Sequence, residues 1–260
     1  MPGRIELACV DQGSGPVVVL VHGFPIEGSM WRDAAGLLGA ACRVLVPDQR
    51  GYGRSPGTPV ATMADYADDL ARLLDRHAVD RPALLAGLSF GGYVVMEFMR
   101  RHPDRLDAVG LVDTREAGDT PEAAAGRRAG ADALDAGGPV SAVVAPMLPK
   151  LFAPGAPGAM VEHWSRVICS QSPGAVAATL RAMADRQDST ETLRAFPGRS
   201  LVVAGEHDAI TPVEVHERMA ALLPHAELRI IPGAGHMAPT EQPRAFASIV
   251  GEFLATGGRS

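Results

Sequence analysis

Cysteine is scarce in this 260-residue chain: Cys9, Cys42 and Cys169 are the only three, far apart and never in a Cys-x-x-Cys pair. An odd, scattered set suits neither a disulfide scaffold nor a cysteine-based zinc centre, and reads as buried free thiols in a reducing compartment. Positive charge is also in deficit. Lys and Arg number 24 against 30 Asp and Glu, a net charge of −6. That leaves no basic footprint for phosphate backbones or anionic lipid, so no nucleic acid or membrane partner is expected. Long apolar runs are missing too: the longest near the start, "VVVLV" at residues 17–21, falls far short of a bilayer span. Residues 1–10 lack the basic and apolar regions of a signal peptide, and a cytoplasmic location is the expectation. With 47% hydrophobic and 21% charged residues, the composition is that of a globular protein with one large domain or a domain carrying an insertion.

What is present is a rhythm. Short β-branched apolar runs at 16–23, 42–48, 81–89, 107–113, 200–208 and 226–235 alternate with helix-like stretches. Apolar runs without polar alternation suit strands buried on both faces, and their alternation with helices predicts an α/β fold: a mostly parallel sheet with helices on both sides. In the stretch "DYADDLARLLDRH", Tyr66, Leu70, Leu73 and Leu74 share one helical face, with Asp68, Asp69, Arg72 and Asp75 opposite. Thr62, three residues before Asp65, is placed to cap that helix. Residues 115–195 break the rhythm, being rich in Ala, Gly and Pro with helical pieces and no strand pattern. The expectation is a core of 1–114 and 196–260 with a helical cap inserted at 115–195. Its apolar residues Met147, Leu148, Leu151, Phe152, Met160, Trp164 and Ile168 suggest a substrate pocket, for which Met147, Leu151, Phe152 and Trp164 are the named candidates.

Two stretches, "GRSPG" at 53–57 and "GLSFG" at 87–91, spell Gly-x-Ser-x-Gly, the mark of a serine held on a sharp strand-to-helix turn. With 29 glycines in the chain the pattern arises readily by chance, so context must decide. Pro56 restricts Ser55 to extended backbone and has no N–H to offer an oxyanion. Nor does a strand run directly into Ser55. Ser89 ends an apolar strand and opens a helical run, with small Gly87 and Gly91 flanking it and a free N–H on Phe90. Ser89 is the nucleophile candidate.

A serine hydroxyl needs a base, and the base needs a carboxylate to hold its ring. Of eight histidines, His77, His102 and His225 sit at helix ends and His163 and His216 within helical stretches, which are surface or capping positions. His22 shapes its own loop, and His207 is a second choice. His236 follows a strand and a Gly-rich turn, where a base can swing onto a serine. Asp208, ending the run "LVVAGEHD", is the first candidate for the acid; Asp113 is the alternative and Asp48 a distant third. The oxyanion hole would take one N–H from Phe90 and another from the loop "HGFPIEGS", through Phe24.

Taken together, "HGFP", "DQRGYGRS", "GLSFGG", "GEHD" and "GAGH" occur in the order and spacing of the α/β-hydrolase superfamily, which the chain resembles from about residue 12 to 255 apart from the insertion. The likeness is to serine esterases and lactonases such as 3-oxoadipate enol-lactonases, and to cofactor-free perhydrolases, although many of these carry Met where this chain has Phe90. The resemblance implies an α/β-hydrolase fold with a helical cap and a serine hydrolase (carboxylesterase or lactonase) acting on a small-molecule ester or lactone, with no metal or organic cofactor. It also places "GRSPG" in a glycine-rich loop without a nucleophilic role. Perhydrolysis, C–C hydrolysis or lyase chemistry on the same three residues, and a slow-turnover receptor for a small ligand, stand as alternatives.

Overall fold

The computed structural model describes residues 5–58 and 60–257; residues 1–4, 59 and 258–260 of the expected core lie outside the described residues. Seven strands form one sheet: β1 (Cys9–Gly13), β2 (Val17–Val21), β3 (Arg43–Pro47), β4 (Leu84–Leu88), β5 (Ala108–Val112), β6 (Arg199–Gly205) and β7 (Ala226–Ile231). Their order across the sheet is β1-β3-β2-β4-β5-β6-β7. Every pairing is parallel except β1 with β3. The central strands are apolar along their whole length because both faces are covered; every residue of β4 and β5 is buried.

The helices are α1 (Arg32–Leu38), α2 (Met63–Arg76), α3 (Phe90–Arg101), α4 (Pro121–Asp135), α5 (Val140–Val144), α6 (Gly158–Cys169), α7 (Pro173–Ala184), α8 (Thr190–Ala195), α9 (Val213–Leu222), α10 (Ala238–Glu241) and α11 (Pro243–Gly257). On one side α1 packs with α11, the Trp31 and Phe246 rings meeting at 5.3 Å. On the other, α2 packs with α3, α3 with α8, and α8 with α9. None of the described helices is long and apolar enough to cross a membrane.

Helix α2 starts where Thr62 caps it: the Thr62 hydroxyl accepts the Asp65 N–H at 3.2 Å, and the Asp65 carboxylate accepts the Thr62 N–H at 2.8 Å. One polar residue of this helix departs from expectation. Asp69 is buried, not solvated, because Arg50 reaches in from the loop after β3 and pairs with it at 2.7 Å, both side chains shielded from water. Arg72 pairs with Asp69 as well, so it is loss of Asp69 that would leave the buried Arg50 guanidinium without a counter-charge.

Between β5 and β6 the described residues contain only helices and loops, with α4 packed on α7 and α5 on α6. One hydroxyl of this excursion makes several bonds at once, two of them to the core. Thr179 on α7 accepts from Tyr52 Oη at 2.9 Å, shares a 2.7 Å bond with Tyr66 Oη and donates to the Ala175 carbonyl.

Candidate active site

Strand order sets where a site can form. After β2 the chain turns to one side to lay down β3, and after β4 it proceeds to the other through β5, β6 and β7. The crevice outside the carboxyl ends of β2 and β4 is therefore the topological switch point, the expected place for a ligand in such a sheet. Register pairs Val21 with Gly87, so the Phe24 loop and Ser89 leave the sheet at one height.

Ser89 is the hinge between β4 and α3. Its backbone has φ 53° and ψ −112°, a strained conformation for a residue with a side chain. The surroundings enforce it. A Cβ on Gly87 would collide with the Gly91 carbonyl, and one on Gly91 with the carbonyl of Val21, so only glycines permit the strand and helix to meet this closely. The Ser89 N–H bonds Val112 O at 2.9 Å, and its carbonyl accepts the Thr114 hydroxyl at 2.8 Å. The N–H groups of Phe24 and Phe90 bond no protein acceptor among the described residues.

Ser55 is placed quite differently. Its buried hydroxyl donates to Asp48 O at 2.6 Å and accepts the Ala8 N–H at 2.8 Å. Both its proton and its acceptor capacity serve the backbone.

His236 and Asp208 meet above β6 and β7. His236 Nδ1 lies 2.8 Å from Asp208 Oδ2, and both residues are buried. Asp208 is fully satisfied: Oδ1 accepts the N–H groups of Ile210 and Thr211 at 2.7 and 2.9 Å, and Oδ2 also accepts the Thr211 hydroxyl at 2.5 Å. Burial works to raise its pKa, but the bond and charge of His236, with the Thr211 bonds, outweigh it and hold the carboxyl below the ordinary range. A carboxylate on Nδ1 fixes the tautomer that leaves Nε2 with a lone pair. No hydrogen bond joins Ser89 Oγ to His236 among the described residues, a contact that commonly tightens only with substrate.

Asp113 has another occupation. Its backbone sits at φ 43°, its Oδ1 accepts the Gly205 N–H at 2.7 Å, and its Oδ2 accepts the Ala238 N–H at 3.3 Å. Burial and the adjacent Asp208 charge push its carboxyl well above the usual range. It staples the ends of β5 and β6 to the turn after His236 and makes no bond to the imidazole. His216 departs from its expected surface position. It is buried, its Nδ1 bonds Pro212 O at 3.3 Å and its Nε2 accepts the Thr114 N–H at 3.1 Å. The sequence reading does not single out Thr114 or Thr211, whose bonds hold Ser89 and Asp208; Thr211, three residues after Asp208 in the turn pattern Asp-x-x-Thr, carries a local signal.

Two of the four named pocket candidates, Met147 and Trp164, line different cavities. Met147 lines one with Phe24, of about 340 Å³, together with Gly126, Arg127, Val143 and Leu180. Trp164 faces a different hollow of about 280 Å³ beside Ser29 and Thr240. Leu151 and Phe152 line neither; they are packed against the His236 loop, where Leu151 O accepts the Met237 N–H at 3.0 Å. A larger cavity, about 520 Å³, lies at the β1–β3 edge between Gln12, Arg32 and Arg54, remote from the β6 and β7 ends.

Two buried histidines give the protein an acid sensitivity. His22 (bonded to Gly23 O and the Gln49 N–H) and His216 are each lowered from 6.5 to about 4, chiefly by burial. A histidine whose folded pKa is depressed contributes stability above its unfolded pKa and loses it as pH falls through the window from 6.5 towards 4. Each should therefore cost about 2 kcal/mol between pH 7 and pH 5. Urea denaturation at both pH values should show a pH slope smaller by that amount in His22→Gln than in the wild type. Taking this difference removes the contribution of Asp113, whose raised carboxyl works in the opposite sense. Equal slopes would mean that His22 is not held neutral.

The strained serine at the switch point and the paired imidazole and carboxylate sit on a seven-stranded sheet of order β1-β3-β2-β4-β5-β6-β7. The chain belongs to the Alpha/beta hydrolase family, whose sequence profile matches residues 18–249. A thermophilic esterase from Thermogutta terrifontis superposes with a TM-score of 0.95 at 41% identity, covering 98% of this chain and 95% of that one. The enol-lactonase from Burkholderia xenovorans superposes with a TM-score of 0.86 at 25% identity, covering 96% and 97%. Among curated sequences, the pimeloyl-[acyl-carrier protein] methyl ester esterase of Chromobacterium violaceum is 28% identical over 94% of this chain and 96% of its own length. The protein is thus an esterase- and lactonase-like hydrolase.

Proposed function

We propose that the protein hydrolyses small carboxylic esters or lactones through an acyl-enzyme, with Ser89 as nucleophile, His236 as base and Asp208 as the orienting acid. The observation that carries this reading is the 2.8 Å bond between Asp208 Oδ2 and His236 Nδ1 on the sheet edge where Ser89 stands at its strained turn. Ser89 Oγ attacks the carbonyl carbon while His236 Nε2 takes its proton. The tetrahedral oxyanion is held by the N–H groups of Phe24 and Phe90, and collapse expels the alcohol, which receives the proton from His236. Water, deprotonated by His236, then attacks the acyl-enzyme; the acid leaves and Ser89 recovers its proton. Every step uses groups of this chain.

Residues 115–195 serve as the cap in this reading. The cavity shared by Phe24 and Met147 would receive the acyl group, beginning as it does beside an oxyanion donor. Its one charged wall residue, Arg127, is neutralised by Asp119 at 2.6 Å, which suits an apolar chain. Gly126 projects nothing into the space, and a Cβ built there meets no atom within 4 Å. Gly126→Leu should therefore shorten the pocket without distorting helix α4. Losing room for three methylenes, at about 0.8 kcal/mol each, should lower kcat/KM on longer chains by on the order of fiftyfold relative to acetate. A panel of 4-nitrophenyl esters from acetate to octanoate, with small lactones, tests both the activity and the pocket. Absence of turnover on the whole panel would overturn the hydrolase reading; an unchanged chain-length profile in Gly126→Leu would move the acyl site elsewhere.

A further inference from the structure

The turn that carries His236 has little stiffness of its own. It contains Gly233, at φ 67°, and Gly235, and glycine gives backbone its widest freedom. Its rigidity comes from outside. Glu241, part-buried on the short helix α10, spends both carboxylate oxygens on backbone: Oε1 accepts the Gly235 N–H at 2.8 Å and Oε2 accepts the Ala153 N–H at 2.9 Å. A second strap runs from the Met237 N–H to Leu151 O at 3.0 Å. Between them the chains touch, for a Cβ on Gly235 would strike the backbone of Phe152 and Ala153. The residues on either side of His236 are thus both fastened to residues 151–153, which belong to the helical excursion between β5 and β6.

We propose that Glu241 is a positioning residue for His236, clamping the turn that bears the base to the helical excursion so that the seat of residues 151–153 sets where the imidazole stands. The inference rests on the reading of His236 as the base. Asp208 fixes one ring nitrogen, but a ring held at Nδ1 still swings if its backbone moves, and the clamp removes that freedom. The hydrogen bonds of Glu241 go to backbone N–H groups and not to the imidazole; it acts through the turn.

Glu241→Gln keeps the size of the side chain but turns an NH₂ towards one of the two N–H donors, breaking one arm of the clamp. On 4-nitrophenyl butanoate, kcat should fall about 10- to 100-fold, the scale of a small misplacement, with KM within about twofold. Fluorophosphonate labelling of Ser89 should slow by a similar factor. In a His236→Ala background the same substitution should cause no further slowing of labelling, since no base remains to be positioned; a role confined to stability would act in both backgrounds. Hydrogen exchange at the Ala153, Gly235 and Met237 amides should be slow in the wild type and faster in the variant. A folded Glu241→Gln with kcat within about twofold of wild type would overturn the proposal, as would equal losses in both backgrounds. If the variant does not fold, free exchange of the Ala153 and Gly235 amides in the wild type overturns it without any substitution. A wild type that neither turns over esters nor labels at Ser89 would instead defeat the hydrolase reading, and the exchange data would still judge the clamp.

Discussion

Ser89→Ala is expected to lower turnover of 4-nitrophenyl esters by about 10⁵-fold or more, roughly 7 kcal/mol of transition-state stabilisation, while the protein stays folded. The loss is large because the covalent route disappears entirely, leaving only the oxyanion donors and substrate positioning. Folding should survive, since Ser89 Oγ makes no hydrogen bond to the protein among the described residues and the elbow is imposed by the glycines around it. Ser55→Ala should behave in the opposite way. Its hydroxyl bonds both Asp48 O and the Ala8 N–H, so its removal leaves buried backbone groups unpaired and costs about 1–3 kcal/mol of stability. Its turnover in the folded state should stay within a few-fold of wild type. Steady-state kinetics and urea denaturation of the two variants separate these outcomes. Comparable losses of turnover in both would leave the nucleophile unassigned.

The second large effect concerns the acid. Asp208→Asn should reduce turnover by about 10⁴-fold, near 5 kcal/mol, the measured consequence of the same acid-to-amide change in a serine protease. The amide oxygen can still accept the Ile210 and Thr211 N–H groups, but its NH₂ then faces the Thr211 hydroxyl and His236. Donation to Nδ1 would place the imidazole proton on Nε2, where the lone pair is needed. Asp113→Asn should cost less than about tenfold in turnover, a barrier change of no more than about 1.4 kcal/mol. Its penalty falls on stability, because the NH₂ meets one of two backbone donors, Gly205 or Ala238. The reverse ranking, in purified folded variants, would make Asp113 the acid.

How much of this could be read from the chain depended on whether the cause was local. The parallel strands were legible because burial on both faces leaves uninterrupted apolar runs such as those of β2 and β4. The elbow was legible because a sharp strand-to-helix turn demands glycines at fixed offsets from the serine. Strand β1 was not, since its sequence "CVDQG" lies at the sheet edge, partly exposed, and has neither an apolar run nor a regular alternation. The burial of Asp69 and His216 was equally hidden. Each is a polar residue on a helix whose partner, Arg50 or the Thr114 N–H, arrives from elsewhere in the chain. The pocket wall was the least legible part, because it is made by how α4, α5 and α7 lean on one another and on the Phe24 loop. Hydrophobicity marked Leu151, Phe152 and Trp164 but could not say which way they face.

The central claim is that Ser89, activated by His236, is the nucleophile. Mapping the site of covalent attachment by peptide mass spectrometry after treatment with a fluorophosphonate tests it most directly. The account predicts a single adduct on Ser89, absent from Ser55 and greatly slowed in His236→Ala. An adduct on Ser55, or ester turnover that persists while Ser89 stays unmodified, would contradict it.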